Sequence, residues 1–219
     1  MDPRILVINP NSTEAVTKGI DAALAPLRMA GDPAIDCITL AEGPPGIESQ
    51  ADVESVVQPI RRAVQGHDAA AYVIACFSDP GLHLAREATE RPVFGIAESA
   101  MVTALTLGDC FGIIAILPAS VPRHVRTVRS MGLEPRFAAS RPIGLGIAEL
   151  NDGDAVMERM IAAGACLRDE QDANVVIMGC AGLARFKDGL EDALAIPVVE
   201  PSQAAVTLAI GAVLLTRAK

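Results

Sequence analysis

Ala71-Tyr72-Val73-Ile74-Ala75-Cys76 is answered further along the chain by Val175-Val176-Ile177-Met178-Gly179-Cys180, the two cysteines lying 104 residues apart. Each stretch is a short, near-continuous apolar run that ends in a thiol, the pattern of a strand buried on both faces of a parallel sheet. The same correspondence extends outward. Ile5-Leu6-Val7-Ile8-Asn9-Pro10 answers Ile113-Ile114-Ala115-Ile116-Leu117-Pro118 at an offset of 108, Arg91-Pro92-Val93-Phe94 answers Ile196-Pro197-Val198-Val199 at 105, and Val102-Thr103 answers Val206-Thr207 at 104. One Ile/Val-rich match is within chance. Several in the same order, drifting only as loop changes allow, denote two homologous halves of about 100 residues each.

Strands are expected at Ile5–Ile8, Ile35–Leu40, Ala71–Ala75, Val93–Ile96, Ile113–Ile116, Val175–Met178 and Pro197–Val199. Helical spacing with a polar face occupies Ser12–Ala25, Ala51–Gln65, Asp154–Arg168 and Ser202–Leu215. Strands alternating with helices place the chain in the α/β class, with a first half over 1–97 and a second over 98–199.

Composition limits the function. With 51% apolar and 21% charged among 219 residues, the chain can offset its ordering entropy by burial, so intrinsic disorder is excluded. Aromatic residues are 3% and the net charge is −9, which argues against nucleic acid and anionic lipid as partners. Met1-Asp2-Pro3-Arg4 runs straight into a strand without a basic, then apolar, leader, so a cytoplasmic location is expected. The longest apolar stretch, Ala204–Leu215, is too short to span a bilayer. Five cysteines (Cys37, Cys76, Cys110, Cys166 and Cys180) form an odd set without a CxxC pair, and His67, His83 and His124 are scattered; neither a disulfide framework nor a metal site is expected.

Cys37, Cys110 and Cys166 read as small buried hydrophobes. Cys76 and Cys180 differ, because each follows its half's third strand, and parallel sheets bind ligands at the carboxyl ends of their strands. Asp79 reads as an N-cap and Pro80 as the first residue of a helix after Cys76, and a thiol beside a helix N-terminus gains thiolate character. Were the halves to face each other about a pseudo-twofold, the two thiols would point at one another across a cleft. Such a pair can take a proton from one face of a carbon and return one to the other, which is racemisation without a cofactor.

Asn9-Pro10-Asn11-Ser12-Thr13 after the first strand, Cys76-Phe77-Ser78-Asp79-Pro80-Gly81 and Gly179-Cys180-Ala181-Gly182 together resemble the aspartate/glutamate/hydantoin racemase superfamily, most closely its hydantoin and allantoin branch. The resemblance covers essentially the whole chain. It implies two halves, each a four-stranded parallel sheet flanked by helices, with the active site in the cleft between them. It also implies Cys76 and Cys180 as the two bases, a need for neither pyridoxal phosphate nor metal, a small-molecule substrate, a homo-oligomer, and a C-terminal helix (200–219) that packs back on the first half. By motif, Asn11 donates to a substrate carbonyl, while Ser78 and the amides of Phe77, Ala181 and Gly182 hold carbonyl oxygens as charge moves onto them.

Three positions depart from the family's pattern: Ser78 stands where glycine is frequent, and Ala115 and Ile116 stand where threonines are usual. An apolar Ile116 at the cleft implies a more hydrophobic substrate edge. Some residues read two ways. Asn11 also suits an Asx-type turn, and Glu98 either lines the cleft or caps the next helix. Gly144-Leu145-Gly146-Ile147-Ala148-Glu149 begins like a dinucleotide loop but lacks its ending. Arg123, Arg126 and Arg129, at spacing three, read as a solvated helix face. The leading function is a two-cysteine racemase of a 5-substituted hydantoin. The alternatives are an Asp/Glu racemase, a maleate isomerase or arylmalonate decarboxylase of the same fold, and a small-molecule sensor.

Overall fold

The structure, a computed structural model, describes residues 3–150 and 153–217. Met1-Asp2, Asn151-Asp152 and the last two residues lie outside them. Among the described residues are eight strands: β1 (Arg4–Asn9), β2 (Ala34–Thr39), β3 (Ala71–Ile74), β4 (Val93–Gly95), β5 (Phe111–Ala115), β6 (Phe137–Pro142), β7 (Val175–Met178) and β8 (Val198–Val199). They form two four-stranded parallel sheets of identical order, β2-β1-β3-β4 and β6-β5-β7-β8.

The duplication is visible bond by bond. The Ala75 amide donates to the Ile8 carbonyl at 2.8 Å, as the Gly179 amide does to Ile114 at 2.8 Å; the Tyr72 and Val176 amides donate to the carbonyls of Pro92 and Pro197, both at 3.0 Å. One correction follows. In the sheets Ile8 corresponds to Ile114, not to Ile116, so the first strands are offset by 106 rather than 108. Two residues is one full period of a strand, so the slip preserves which side chains face which way and the sequence pattern could not detect it.

The helices are α1 (Glu14–Ala23), α2 (Gln50–Ser55), α3 (Val57–Gly66), α4 (Leu82–Glu87), α5 (Ile96–Leu107), α6 (Val121–Ser130), α7 (Gly153–Gln171), α8 (Lys187–Leu194) and α9 (Pro201–Arg217). The segment read as a single helix, Ala51–Gln65, breaks at Val56 into α2 and α3, and α2 starts on a capping box between Ser49 and Asp52. The helices that follow each fourth strand are exchanged. α5 packs on β5, β7 and β8 of the second sheet, α9 on β1, β3 and β4 of the first, and the two pack on each other.

Strand alternation divides the apolar side chains between two faces. Ile5, Val7, Ala71 and Val73 join Phe111, Ile113, Val175 and Ile177 and the buried faces of α5 and α9 in one core shared by both halves. The opposite faces, with Leu6 and Ile8 on one sheet and Ile114 and Met178 on the other, pack in separate outer cores.

β6 was absent from the expected strands. Phe-Ala-Ala-Ser-Arg-Pro carries no β-branched residue, and as an edge strand it is only half buried; pairing to β5, not intrinsic preference, makes it a strand.

Candidate active site

A pocket at the carboxyl ends of the central strands brings both halves together, with a free volume of about 40 Å³. It receives Cys76, Phe77 and Ser78 from beyond β3, Cys180, Ala181 and Gly182 from beyond β7, Asn11 from beyond β1 and Ile116 from beyond β5. All eight residues singled out in the sequence thus line one cavity. It shares the lining residues Val16, Ile147, Ala181 and Gly182 with an outer cavity of about 610 Å³.

Each sulfur is met by the amide two residues further on. Gly182 N–H donates to Cys180 Sγ at 3.4 Å, and the Ser78 amide plays the same part at Cys76. These two amides are therefore turned to the thiols, where they favour the thiolate. They do not outweigh burial, which pushes Cys76 up to about 12 and Cys180 up to about 11; Cys180 also disfavours charge on Cys76 from across the pocket. The helix expected to begin at Pro80 begins at Leu82 instead: Asp79, three residues before it, does not cap it, and Gly81 is its N-cap at φ 65°. Asp79 instead takes up φ 43°, a conformation that costs an L residue about 1–3 kcal/mol. Its side chain there reaches across to α5, accepting from the amides of Ala97 (2.9 Å) and Glu98 (2.8 Å).

Asn11 combines its two readings. Its Oδ1 accepts from the Thr13 amide (2.9 Å) and from Asn9 Nδ2 (3.0 Å), an Asx turn within Asn9–Thr13; its own Nδ2 has no partner among the described residues and lines the pocket. Glu98 does not reach the cleft. It pairs with Arg86 at 2.8 Å on a half-exposed surface. The Gly144–Glu149 loop closes on the first half instead of binding a nucleotide: the Ile147 amide donates to Glu48 Oε1 at 2.8 Å, and Ile147 lines the pocket.

Arg123 corrects the reading of a solvated arginine face. It is 8% exposed and lines the pocket. Its Nη1 donates to Ala119 O (3.0 Å), its Nη2 to Glu48 O (2.9 Å) and Ser120 Oγ (3.2 Å), and its Nε approaches Ser78 Oγ at 3.4 Å. It thereby ties the second half's α6 to two loops of the first. Burial works against its charge, which the Cys76 thiolate would favour. Arg126 and Arg129 do lie at the surface, on Gln50 and Glu134. The signal that separates Arg123 from them is its place in the first turn of the helix after β5, at the ligand-binding edge of the sheet. His124, beside it, is buried, held by Ser140 Oγ at 2.9 Å and edge-on to Phe77; burial takes it down to about 3, so it is neutral and structural.

Two like-folded parallel α/β halves, each delivering one thiol at the end of its third strand to a shared pocket, define a duplicated α/β protein with a pocket between its halves. The chain belongs to the Asp/Glu/Hydantoin racemase family, which it matches over residues 5–209; it is a racemase, hence an isomerase. It is 37% identical over 212 residues to the hydantoin racemase of Pseudomonas sp. (strain NS671), covering 94% of this chain and 84% of that one. Its fold resembles the allantoin racemase from Klebsiella pneumoniae (TM-score 0.86, 31% identity, 98% of this chain and 89% of that one). It resembles equally the allantoin racemase from Pseudomonas fluorescens (TM-score 0.89, 28% identity, 97% and 92%). Among the described residues no helix is long and apolar enough to cross a membrane.

Proposed function

We propose that the chain racemises a 5-substituted hydantoin by two-base proton transfer between Cys76 and Cys180, without a cofactor, as a cytoplasmic homo-oligomer. The observation that carries this reading is that both thiols line one narrow pocket whose lining, among the described residues, holds no carboxylate. One cysteine, as thiolate, removes the proton from the ring carbon next to the carbonyl, and the electron pair moves onto the carbonyl oxygen. The other, as thiol, delivers a proton to the opposite face, the carbonyl re-forms, and thiol and thiolate have exchanged places. Asn11 Nδ2 and the amides of Phe77 and Ala181 are the candidates to hold the enolate oxygen, and Arg123 supplies positive charge beside them.

The lining also favours a ring over an amino acid. An α-ammonium group at the reacting carbon would need an acceptor of negative charge beside the thiols, and among the described residues of the inner pocket none is acidic. Arg123 is the charged group of that inner pocket, suited to carbonyl oxygen on its way to enolate. The substituent at C5 has room in the outer cavity, where Val16, Pro45, Leu150 and Ala184 offer an apolar wall beside the charged Glu48, Asp52 and Arg185, consistent with Ile116 replacing a hydroxyl residue at the inner edge. A bulky apolar substituent therefore suits the site better than the polar one of allantoin. The test is polarimetry on single enantiomers of an aryl- or alkyl-substituted hydantoin, allantoin, aspartate and glutamate, with maleate followed by absorbance. Decay of rotation fastest for the apolar hydantoin is the expected result; turnover of an amino acid or maleate alone would replace it.

A further inference from the structure

Two carboxylates, Glu200 buried and Asp79 half-buried, take no part in the chemistry above, yet the duplication relates them. Asp79 binds the first amides of α5, Ala97 (2.9 Å) and Glu98 (2.8 Å). Glu200 binds the first amides of α9, Ser202 (3.1 Å) and Gln203 (2.6 Å). Ala97 and Glu98 correspond to Ser202 and Gln203 across the repeat, so the same two amides are bound in each half, by a carboxylate that arrives from a different place in the chain. The position equivalent to Asp79 is Leu183, and the position equivalent to Glu200 is Gly95. The register agrees: Gly95 pairs with Ile74, and Glu200 stands one step beyond the Ile177–Val199 pair. Sterically the two solutions exclude each other, because a Cβ on Gly95 would lie 2.2 Å from Asp79 Cγ.

We propose that Asp79 and Glu200 are a matched pair of positioning residues, one per half, that anchor the exchanged helices and set one carboxylate beside each thiol. The need for such a match follows from racemisation, on whose two-thiol reading the proposal rests: each cysteine is the base in one direction and the acid in the other. Asp79 shares a tight turn with Cys76, its amide donating to the Cys76 carbonyl at 2.9 Å. Negative charge on Asp79 is felt at Cys76, together with Cys180 and Arg123, and negative charge on Glu200 is felt at Cys180, together with Glu48. The charged neighbours of the carboxylates themselves are Glu98 and Arg86 at Asp79, and Lys187 at Glu200.

The experiment reads the thiols without requiring turnover. In a Cys180→Ala chain the rate of Cys76 alkylation by iodoacetamide is followed against pH, and in a Cys76→Ala chain that of Cys180. Asp79→Asn is expected to lower the Cys76 midpoint by about one pH unit and leave that of Cys180 in place, and Glu200→Gln to do the converse, as loss of a neighbouring like charge requires. Midpoints that stay put, or that move together, overturn the proposal. A decisive second comparison holds even where Asp79→Asn folds poorly. Gly95→Glu alone is expected to unfold the chain at lower temperature, whereas Asp79→Leu with Gly95→Glu, which gives the first half the second half's arrangement, restores both melting temperature and Cys76 midpoint. Failure of that rescue refutes the equivalence. The two-thiol reading fails by a separate result, namely unimpaired racemisation by the Cys76→Ala and Cys180→Ala chains.

Discussion

At Arg123 a positive charge is buried on four backbone and hydroxyl acceptors beside a thiol, with Asp52 as a carboxylate that favours its charge. Negative charge visiting the pocket, as thiolate or as enolate, offsets more of the cost of that burial. Arg123→Gln should therefore lower kcat/KM by about 10²- to 10³-fold, the range for a lost preorganised donor. Arg126→Gln, one turn further along at the surface, should leave it within a factor of about two; steady-state kinetics on one enantiomer checks both. The thiols set the pH dependence. Burial holds them at about 12 and about 11, so the thiolate is scarce at neutrality, and kcat/KM should climb about tenfold per unit between pH 7 and 9. A plateau already reached by pH 7 would contradict this. The two cysteines and Asn11 were legible in the sequence because each follows an apolar strand at the end where ligands bind. Arg123 was not, because spacing three describes a helix face without saying what covers it: here the Glu48 loop of the other half does.

Among the elements, the strands of both sheet interiors were legible from composition alone, since β1, β3, β5 and β7 are buried on both faces. Edge strand β6 and the packing of α5 on the second sheet were not, for both are decided by a partner distant in sequence; the return of α9 to the first sheet was expected only from the family resemblance. That exchange gives the helix caps their weight. Burial raises the carboxyls of Asp79 and Glu200 from ordinary values of 3.8 and 4.5 to about 7. The folded chain thus binds more protons than the unfolded one across that interval. The resulting stabilisation is complete below the ordinary carboxylate values and is lost as pH rises through about 7. Glu200→Gln removes one such group. Its melting temperature relative to that of the unsubstituted chain should therefore improve steadily from pH 5 to pH 8 in calorimetric scans; a constant difference would mean that Glu200 titrates normally.

For the molecule as a whole, duplication accounts for the length, the repeated strands and the paired thiols, while the shared core accounts for the absence of two independent lobes. Ala100 and Ala104 of α5 and their counterparts Ala205 and Ala209 of α9 are fully buried, small enough for the exchanged helices to approach between the sheets; this offset of 105 replaces the 104 of the Val102 and Val206 match, since Val102 is exposed and Val206 buried. Ala205→Leu should cost about 1–3 kcal/mol in urea denaturation by overpacking. Because α9 packs on the first sheet while its chain belongs to the second, that substitution should also depress turnover although it lies away from the pocket. The central claim, that one thiol serves each face of the carbon, is tested most directly by hydrogen exchange in deuterated buffer with the two single-cysteine chains. Cys76→Ala and Cys180→Ala should both lose racemisation, and each should still exchange the C5 hydrogen of one enantiomer only, the opposite one in each case. Exchange of the same enantiomer by both chains, or racemisation surviving in either, would contradict it.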